Sequence, residues 1–174
     1  MANYSIQEST KAFLRPLEGK MLVAYWDYSR YSIAYGSGTL LNGSKVQKGD
    51  RITEQEAELL LSRDIQEAQN YVNYYVKSDI SRAQNDALVS FVYNCGAGNF
   101  KGSTLLSTVN SNPNNYEAIR SAFLHPNWIT AGRESRRIKE ANYYSSGGAV
   151  NATNPFFLVA IIIAIIWLIK RRKK

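Results

Sequence analysis

An uninterrupted apolar run near the C-terminus divides the chain into a body and a tail. Residues 156–169 read FFLVAIIIAIIWLI, fourteen residues without a polar side chain, and the basic cluster Lys170 to Lys174 follows at once. As a helix the run would be about 21 Å long, against a bilayer hydrocarbon core of about 30 Å. A helix of a soluble domain is apolar on one face only, whereas this run is apolar on every side. Because basic side chains and Trp167 suit a membrane interface, residues 156–174 are predicted to form a membrane anchor rather than a docked tail.

The chain before the apolar run is expected to form one folded domain over residues 1–144. Residues 145–155, SSGGAVNATNP, have the composition of a flexible linker. The first eleven residues, MANYSIQESTK, lack the apolar segment of a secretory signal, so none is expected. The net charge is +7, and the terminal basic cluster supplies five of these charges. The body is therefore only mildly basic, which is less than a nucleic-acid-binding domain usually shows.

The scarcity of cysteine and histidine excludes several kinds of site. Cys95 is the only cysteine and His125 the only histidine. An internal disulfide and a zinc site with several histidine or cysteine ligands are therefore impossible. A cysteine peptidase would have to pair Cys95 with His125. The simpler interpretation is a buried small side chain and a loop residue.

Capping signals and hydrophobic periodicity predict the helices of the body. Ser5–Glu8 and Thr53–Glu56 are typical capping boxes, and each should open a helix. Pro16 should end or bend the first helix just before Glu18. The second helix should run to about Lys77. Further helices are expected over residues 81–94 and from Asn112–Pro113 through Phe123.

A β-rich segment lies between the first two predicted helices. Residues 21–41 are rich in Tyr, Val, Ile and Thr with interspersed glycines, which predicts two or three short strands. The long helix that follows would separate a small β lobe from a helical lobe. A cleft is expected between them.

The candidate chemistry lies in residues 17–38, LEGKMLVAYWDYSRYSIAYGSG. Glu18 follows an apolar-periodic segment, Asp27 comes nine positions later in a turn-like sequence, and Ser32 follows. Two carboxylates in different surroundings can divide the work of glycoside hydrolysis, one donating a proton and the other activating water or attacking the sugar. The spacing alone is equally compatible with a surface glutamate and a turn aspartate.

This stretch resembles the catalytic segment of phage-type lysozymes, the muramidases of glycoside hydrolase family 24. The shared pattern is E-G-x-x-L-x-A-Y-x-D, followed by a strand that reads S/T-I-x-Y-G. The resemblance implies that Glu18 is the general acid, that Asp27 orients the attacking water and that Ser32 helps to hold this water. Ser32 stands where the family usually has threonine. Ser37 follows Gly36 where many members have histidine, so that supporting side chain is absent.

Two further segments carry the same resemblance. Residues 90–106 contain S-F-x-x-N-x-G-x-G-x-F and then S-T-L-L, and residues 136–140 read R-R-x-x-E. In the first segment the glycines should turn the chain while Phe100 and Leu105 fill the core. In the second, Arg136 and Glu140 lie one helical turn apart, and a structural role is favoured over saccharide binding. The resemblance implies an α+β, mainly α, lysozyme-like fold with two lobes and a cleft.

The function that the resemblance implies is hydrolysis of the β-1,4 bond between N-acetylmuramic acid and N-acetylglucosamine in peptidoglycan. It implies no metal or organic cofactor, and a role in phage entry or host lysis. Two other interpretations stay open. One is a non-catalytic lysozyme-like protein that binds the virion or the wall. The other is a lytic transglycosylase that uses Glu18 only.

The predicted anchor and the implied wall substrate suggest two locations. The positive-inside tendency would place the basic end in the host cytoplasm and the folded domain outside the cytoplasmic membrane, facing the wall. In a virion with an internal lipid membrane, the basic end would instead face the packaged nucleic acid or capsid. The virion is the preferred hypothesis of the two.

Overall fold

A computed structural model describes residues 3–129 and 132–147 of the chain, so the predicted anchor over 156–174 lies outside the described residues. In chain order, one helix precedes the two strands β1 and β2, and a series of helices follows them. The elements in chain order are α1 (Glu8–Glu18), β1 (Met21–Asp27), β2 (Arg30–Ala34), α2 (Glu54–Tyr75), α3 (Arg82–Cys95), α4 (Ala97–Lys101), α5 (Thr104–Ser111), α6 (Tyr116–Phe123) and α7 (Glu134–Ser146). Helix α7 thus extends through Ser146, into the segment predicted as linker. No helix in the described ranges combines the length and apolar composition that a membrane span requires.

The first helix differs from its prediction at both ends. Its N-cap is Gln7, whose backbone N–H donates to Thr10 Oγ1 at 3.3 Å, so the predicted capping box at Ser5–Glu8 is wrong. Pro16 lies inside the helix, which continues to Glu18. Only Leu17 and Glu18 follow Pro16 in the helix, and the Gly19 N–H bonds to the Arg15 carbonyl at 3.3 Å.

The β lobe is built on an antiparallel hairpin of β1 and β2, which confirms the prediction of short strands. Tyr25 pairs with Ser32 and Asp27 pairs with Arg30. The tight turn between the strands places Tyr28 at φ 52°, a left-handed conformation that is costly for a residue with a Cβ. The register brings the end of β1 beside the start of β2, so Asp27 and Ser32 lie close together.

Helix α2 lies between the small β lobe and the helical lobe, as predicted. Thr53 is its N-cap and accepts from the Glu56 N–H at 3.2 Å, while Glu56 accepts from the Thr53 N–H at 2.8 Å. The predicted capping box is therefore confirmed. The helix packs against β2 on one side and α3 on the other. Its buried residues include Leu60, Leu61, Ile65 and Val72.

The helical lobe encloses the main core around α3. Phe91, on α3, packs against Phe100, Phe123 and Trp128, and Leu105 is fully buried beside them. The prediction that Phe100 and Leu105 fill the core is confirmed.

The start of α6 was predicted too early in the chain. The helix begins at Tyr116, after an N-cap at Asn115 whose side chain accepts from the Ala118 N–H at 3.2 Å. Pro113 instead lies in a turn, where its carbonyl accepts from Gln84 Nε2 and the Tyr144 hydroxyl, each at 3.0 Å. Because these tertiary hydrogen bonds hold Pro113 in the turn, Pro113 is not the first residue of α6, contrary to the prediction.

Candidate active site

Glu18 is the last residue of α1 and points to α7. Its Oε1 accepts a hydrogen bond from Arg136 Nη2 at 2.6 Å, and the two side chains are only 13% and 9% exposed. Burial alone would lower the pKa of Arg136, but the hydrogen bond and charge of Glu18, with the charge of Glu140, raise it instead. The candidate acid is thus held in one orientation by a charged partner from the far end of the domain.

A buried polar network supports Arg136. Glu140 Oε1 accepts from Arg136 Nε at 3.0 Å and from the Ser90 hydroxyl at 2.6 Å. Arg136 Nη2 also donates to the Ser90 carbonyl at 3.2 Å. Arg137 Nη1 lies 2.8 Å from Glu140 Oε2, and its guanidinium stacks over the Phe91 ring at 4.8 Å. The one-turn pairing predicted for Arg136 and Glu140 is confirmed.

The sequence does not predict the contact of Arg136 with Glu18. The R-R-x-x-E pattern identifies the arginine but favours a structural role for it. The sequence separation of 118 residues gives no local signal for the pairing. Only the fold brings the two side chains together.

Asp27 and Ser32 meet on the hairpin. The Ser32 hydroxyl donates to Asp27 Oδ2 at 3.5 Å, the long limit of a hydrogen bond. Ser32 is fully buried, whereas Asp27 is half-buried. This leaves the second carboxylate oxygen of Asp27 without a contact to Ser32 and open to a further ligand such as water.

The pKa of Tyr25 depends on the charges of both carboxylates. It lies on β1 opposite Ser32 and is half-buried. Burial raises the pKa of its phenol, and the negative charges of Asp27 and then Glu18 raise it further. One side chain thus lies within electrostatic reach of both carboxylates, so the end of α1 and the end of β1 border the same region.

A cleft of about 990 Å³ lies between the lobes, as predicted. Its lining includes Trp26 and Ser29, which flank Asp27 in sequence, and Tyr93 of α3. Burial raises the pKa of Tyr93, and the charge of Glu18 is the next largest cause. Glu18 and Asp27 are not themselves among the lining residues, so this volume lies beside the carboxylates rather than around them.

Ser37 occupies the position at which the family often has histidine. Its hydroxyl accepts from Arg63 Nη2 at 2.7 Å and donates to the Thr39 carbonyl at 3.0 Å. Arg63 Nη1 also donates to the Leu40 carbonyl at 2.9 Å. In this chain the position therefore attaches the loop after β2 to α2.

A second charged cluster ties α1 to the β lobe. Arg15 Nη2 lies 2.7 Å from Glu58 Oε2, and the Tyr35 hydroxyl donates to Glu58 Oε1 at 2.6 Å. The hydrogen bond from Arg15 lowers the pKa of Glu58, while burial and then Glu58 raise the pKa of Tyr35 to about 12. Since Arg15 is one turn before Glu18, the cluster sets the position of the α1 end relative to the hairpin.

Cys95 and His125 each have other partners. Burial raises the pKa of the Cys95 thiol, which lies 3.6 Å from Arg137 Nη1. His125 Nδ1 accepts from the Asn127 N–H at 3.3 Å. A thiol kept protonated is a poor nucleophile, so these contacts favour the structural interpretation of both residues.

Comparisons with known proteins agree with this arrangement. The family described as Phage lysozyme matches residues 15–140. An endolysin of Bacillus phage B103 is 36% identical over 127 residues, covering 71% of this chain and 46% of that protein. A SAR-endolysin of Bacteriophage PS119 is 39% identical over 95 residues, covering 54% of each chain. The chain thus spans about half the length of these two relatives.

A solved structure shows the same architecture. The endolysin from Escherichia coli O157:H7 phage FAHEc1 superposes with a TM-score of 0.74 at 27% identity, covering 82% of this chain and 94% of that one. This confirms the predicted mainly helical α+β, lysozyme-like fold with its small two-stranded sheet. The chain belongs to the Phage lysozyme family.

Proposed function

We propose that the chain is a muramidase of glycoside hydrolase family 24. It hydrolyses the β-1,4 bond between N-acetylmuramic acid and N-acetylglucosamine in peptidoglycan. The observation that carries the proposal is the orientation of Glu18, only 13% exposed, by Arg136 Nη2 at 2.6 Å. Membership of the Phage lysozyme family supports the choice of substrate.

In this proposal Glu18 protonates the leaving oxygen. To act as the acid, the Glu18 carboxyl must be protonated and therefore neutral. In that state it no longer balances the positive charge of Arg136. Arg136 keeps Glu140 and the Ser90 carbonyl as acceptors, so its guanidinium stays paired while Glu18 is neutral. The network can therefore orient the acid in both of its protonation states.

Asp27 activates the attacking water, and Ser32 helps to hold it. Because the Ser32 hydroxyl donates to one carboxylate oxygen of Asp27, the other oxygen is left to accept a proton from water. Attack from the face opposite the leaving group inverts the anomeric carbon. Inversion requires a carboxyl separation of about 6.5–9.5 Å, which leaves room for that water.

The proposal extends to a membrane location. The catalytic domain extends to the end of α7 at Ser146, the rest of the predicted linker follows, and residues 156–174 form the anchor, with the domain facing the wall. The apolar run with its basic end supports the anchor, and the SAR-endolysin among the relatives is in keeping with a membrane-associated enzyme. A virion membrane and the host cytoplasmic membrane are the two candidate locations, for entry and lysis respectively.

Asp27→Asn tests the proposed water activation. We expect the full chain to digest purified peptidoglycan and the variant to do so about 100-fold more slowly, since an amide is not a general base. Asp64→Asn is the matched control, because Asp64 lines the cleft and should be dispensable. An Asp27→Asn variant as active as the unmodified chain would refute the two-carboxylate hydrolysis and favour a transglycosylase that uses Glu18 only.

A further inference from the structure

Three tyrosines at the C-terminal end of α2 form a continuous aromatic surface that leads out of the cleft. Tyr71 lines the cleft and is 37% exposed, while Tyr74 is 68% exposed. The Tyr71 and Tyr75 rings are nearly parallel, with centroids 6.4 Å apart, and Tyr74 meets Tyr75 edge-on at 5.0 Å. Tyr75 therefore bridges the cleft-lining ring and the most exposed one.

Core packing does not account for Tyr71 and Tyr74. The buried face of α2 consists of other residues, among them Leu61, Ile65 and Val72. Exposed aromatic rings that touch one another lose contact with water only in part, so their burial contributes little to stability. A cluster of this kind suits the binding of a ligand with flat apolar faces.

The spacing of the residues along α2 shows in which direction the aromatic surface extends. Arg63, Glu67 and Tyr71 are four residues apart and line the cleft in succession along α2. Tyr74 follows Tyr71 by three residues, which places it on the same side of the helix one turn further along. From Glu67 to Tyr74 the helix rises about 10 Å. The surface thus continues the cleft toward the C-terminal end of α2.

Polar groups accompany the rings. The Lys77 ammonium lies over the Tyr74 ring, 5.2 Å from its centroid. Glu67 provides carboxylate oxygens at the cleft end of the surface. A sugar ring presents C–H groups on its faces and hydroxyls around its edge, so it requires both a flat apolar partner and neighbouring polar groups. The phenol ring combines an apolar body with a polar tip in the same way.

We propose that Tyr71 and Tyr74 form a distal saccharide platform, on which a sugar of the glycan strand outside the reacting pair stacks. The proposal rests on the proposed function for the identity of the strand. Its argument is the continuity of the aromatic surface with the cleft. The platform binds substrate and takes no part in bond cleavage, so it increases affinity for long strands without changing the chemical step.

The test measures binding and cleavage separately. The full chain and its Tyr71→Ala/Tyr74→Ala variant are co-sedimented with long glycan strands from which the stem peptides have been removed. We expect the variant to bind the strands about tenfold more weakly, a loss that corresponds to about 1.4 kcal/mol of binding free energy. The rate of Tyr74→Ala alone on a soluble tetrasaccharide of peptidoglycan should be unchanged, because Tyr74 is not among the residues that line the cleft. Leu59→Ala, which truncates another exposed apolar side chain of α2, is the control and should bind normally.

The outcomes separate the platform from the catalytic proposal. Unchanged binding of strands by the variant, or displacement of the strands by free stem peptides, would overturn the platform. If the Tyr74→Ala variant lost rate equally on the tetrasaccharide and on the long strands, the platform would also be overturned, because a distal site affects only long strands. Loss of strand binding in the variant, with no cleavage by the unmodified chain, would support the platform and refute the muramidase instead.

Discussion

Glu18→Gln is expected to lower the rate of peptidoglycan cleavage by about 10³-fold, the typical range for loss of a general acid. The amide has the shape of the carboxyl but no acidic proton for the leaving oxygen. Its oxygen can still accept from Arg136 Nη2, which now lies 2.6 Å from Glu18 Oε1. The fold and the orientation of the side chain should therefore be retained. Initial rates on purified peptidoglycan, with circular dichroism as the check on folding, provide the measurement.

Glu117→Gln is the matched control for this variant. Glu117 also belongs to a helix, but it is exposed and is not among the residues that line the cleft. Its rate should stay within about twofold of the unmodified chain, because surface substitutions of this kind have small effects. A Glu18→Gln variant that keeps a tenth or more of the rate would show that another group donates the proton.

Glu140→Gln is expected to destabilise the fold by about 3–5 kcal/mol, the usual cost of removing one partner of a buried ion pair. Glu140 is fully buried and balances the charges of Arg136 and Arg137, which lie 3.0 and 2.8 Å from its oxygens. The amide leaves the two buried guanidinium groups with one negative partner fewer. Urea unfolding at neutral pH measures the change in the free energy of unfolding.

Glu134→Gln separates this effect from a general loss of charge on α7. Glu134 lies in the first turn of the same helix and is exposed. Its free energy of unfolding should change by less than about 1 kcal/mol, from a weaker interaction with the helix dipole. Similar values for the two variants would mean that the buried network contributes little to the stability of the helical lobe.

Local sequence signals predicted the parts of the fold that depend on neighbouring residues. The capping box of Thr53 and Glu56 lies within one helical turn, and the structure retains it. The hairpin follows from β-forming residues around a tight turn. The start of α6 was wrong because distant groups, Gln84 and Tyr144, bind the Pro113 carbonyl. A pattern that is read along the chain contains no information about such partners.

The same distinction between local signals and contacts of distant residues applies to the candidate site. Glu18, Asp27 and Ser32 were selected from a single stretch of sequence, and the structure joins Asp27 to Ser32 through the strand register. Arg136 was recognised only as part of a helix pattern, since its partner Glu18 lies on another helix. The aromatic surface of Tyr71 and Tyr74 was also not predicted. Whether these rings are buried or exposed depends on the whole fold, and only their exposure distinguishes a binding surface from core packing.

The central claim is that this chain cleaves peptidoglycan with water as the nucleophile. The most direct test is digestion of purified peptidoglycan by the full chain in water enriched in heavy oxygen, with mass spectrometry of the products. The account predicts reducing N-acetylmuramic acid ends, each carrying one heavy-oxygen atom from the solvent. Products that end in unlabelled anhydro-muramic acid would contradict it, because they form without water.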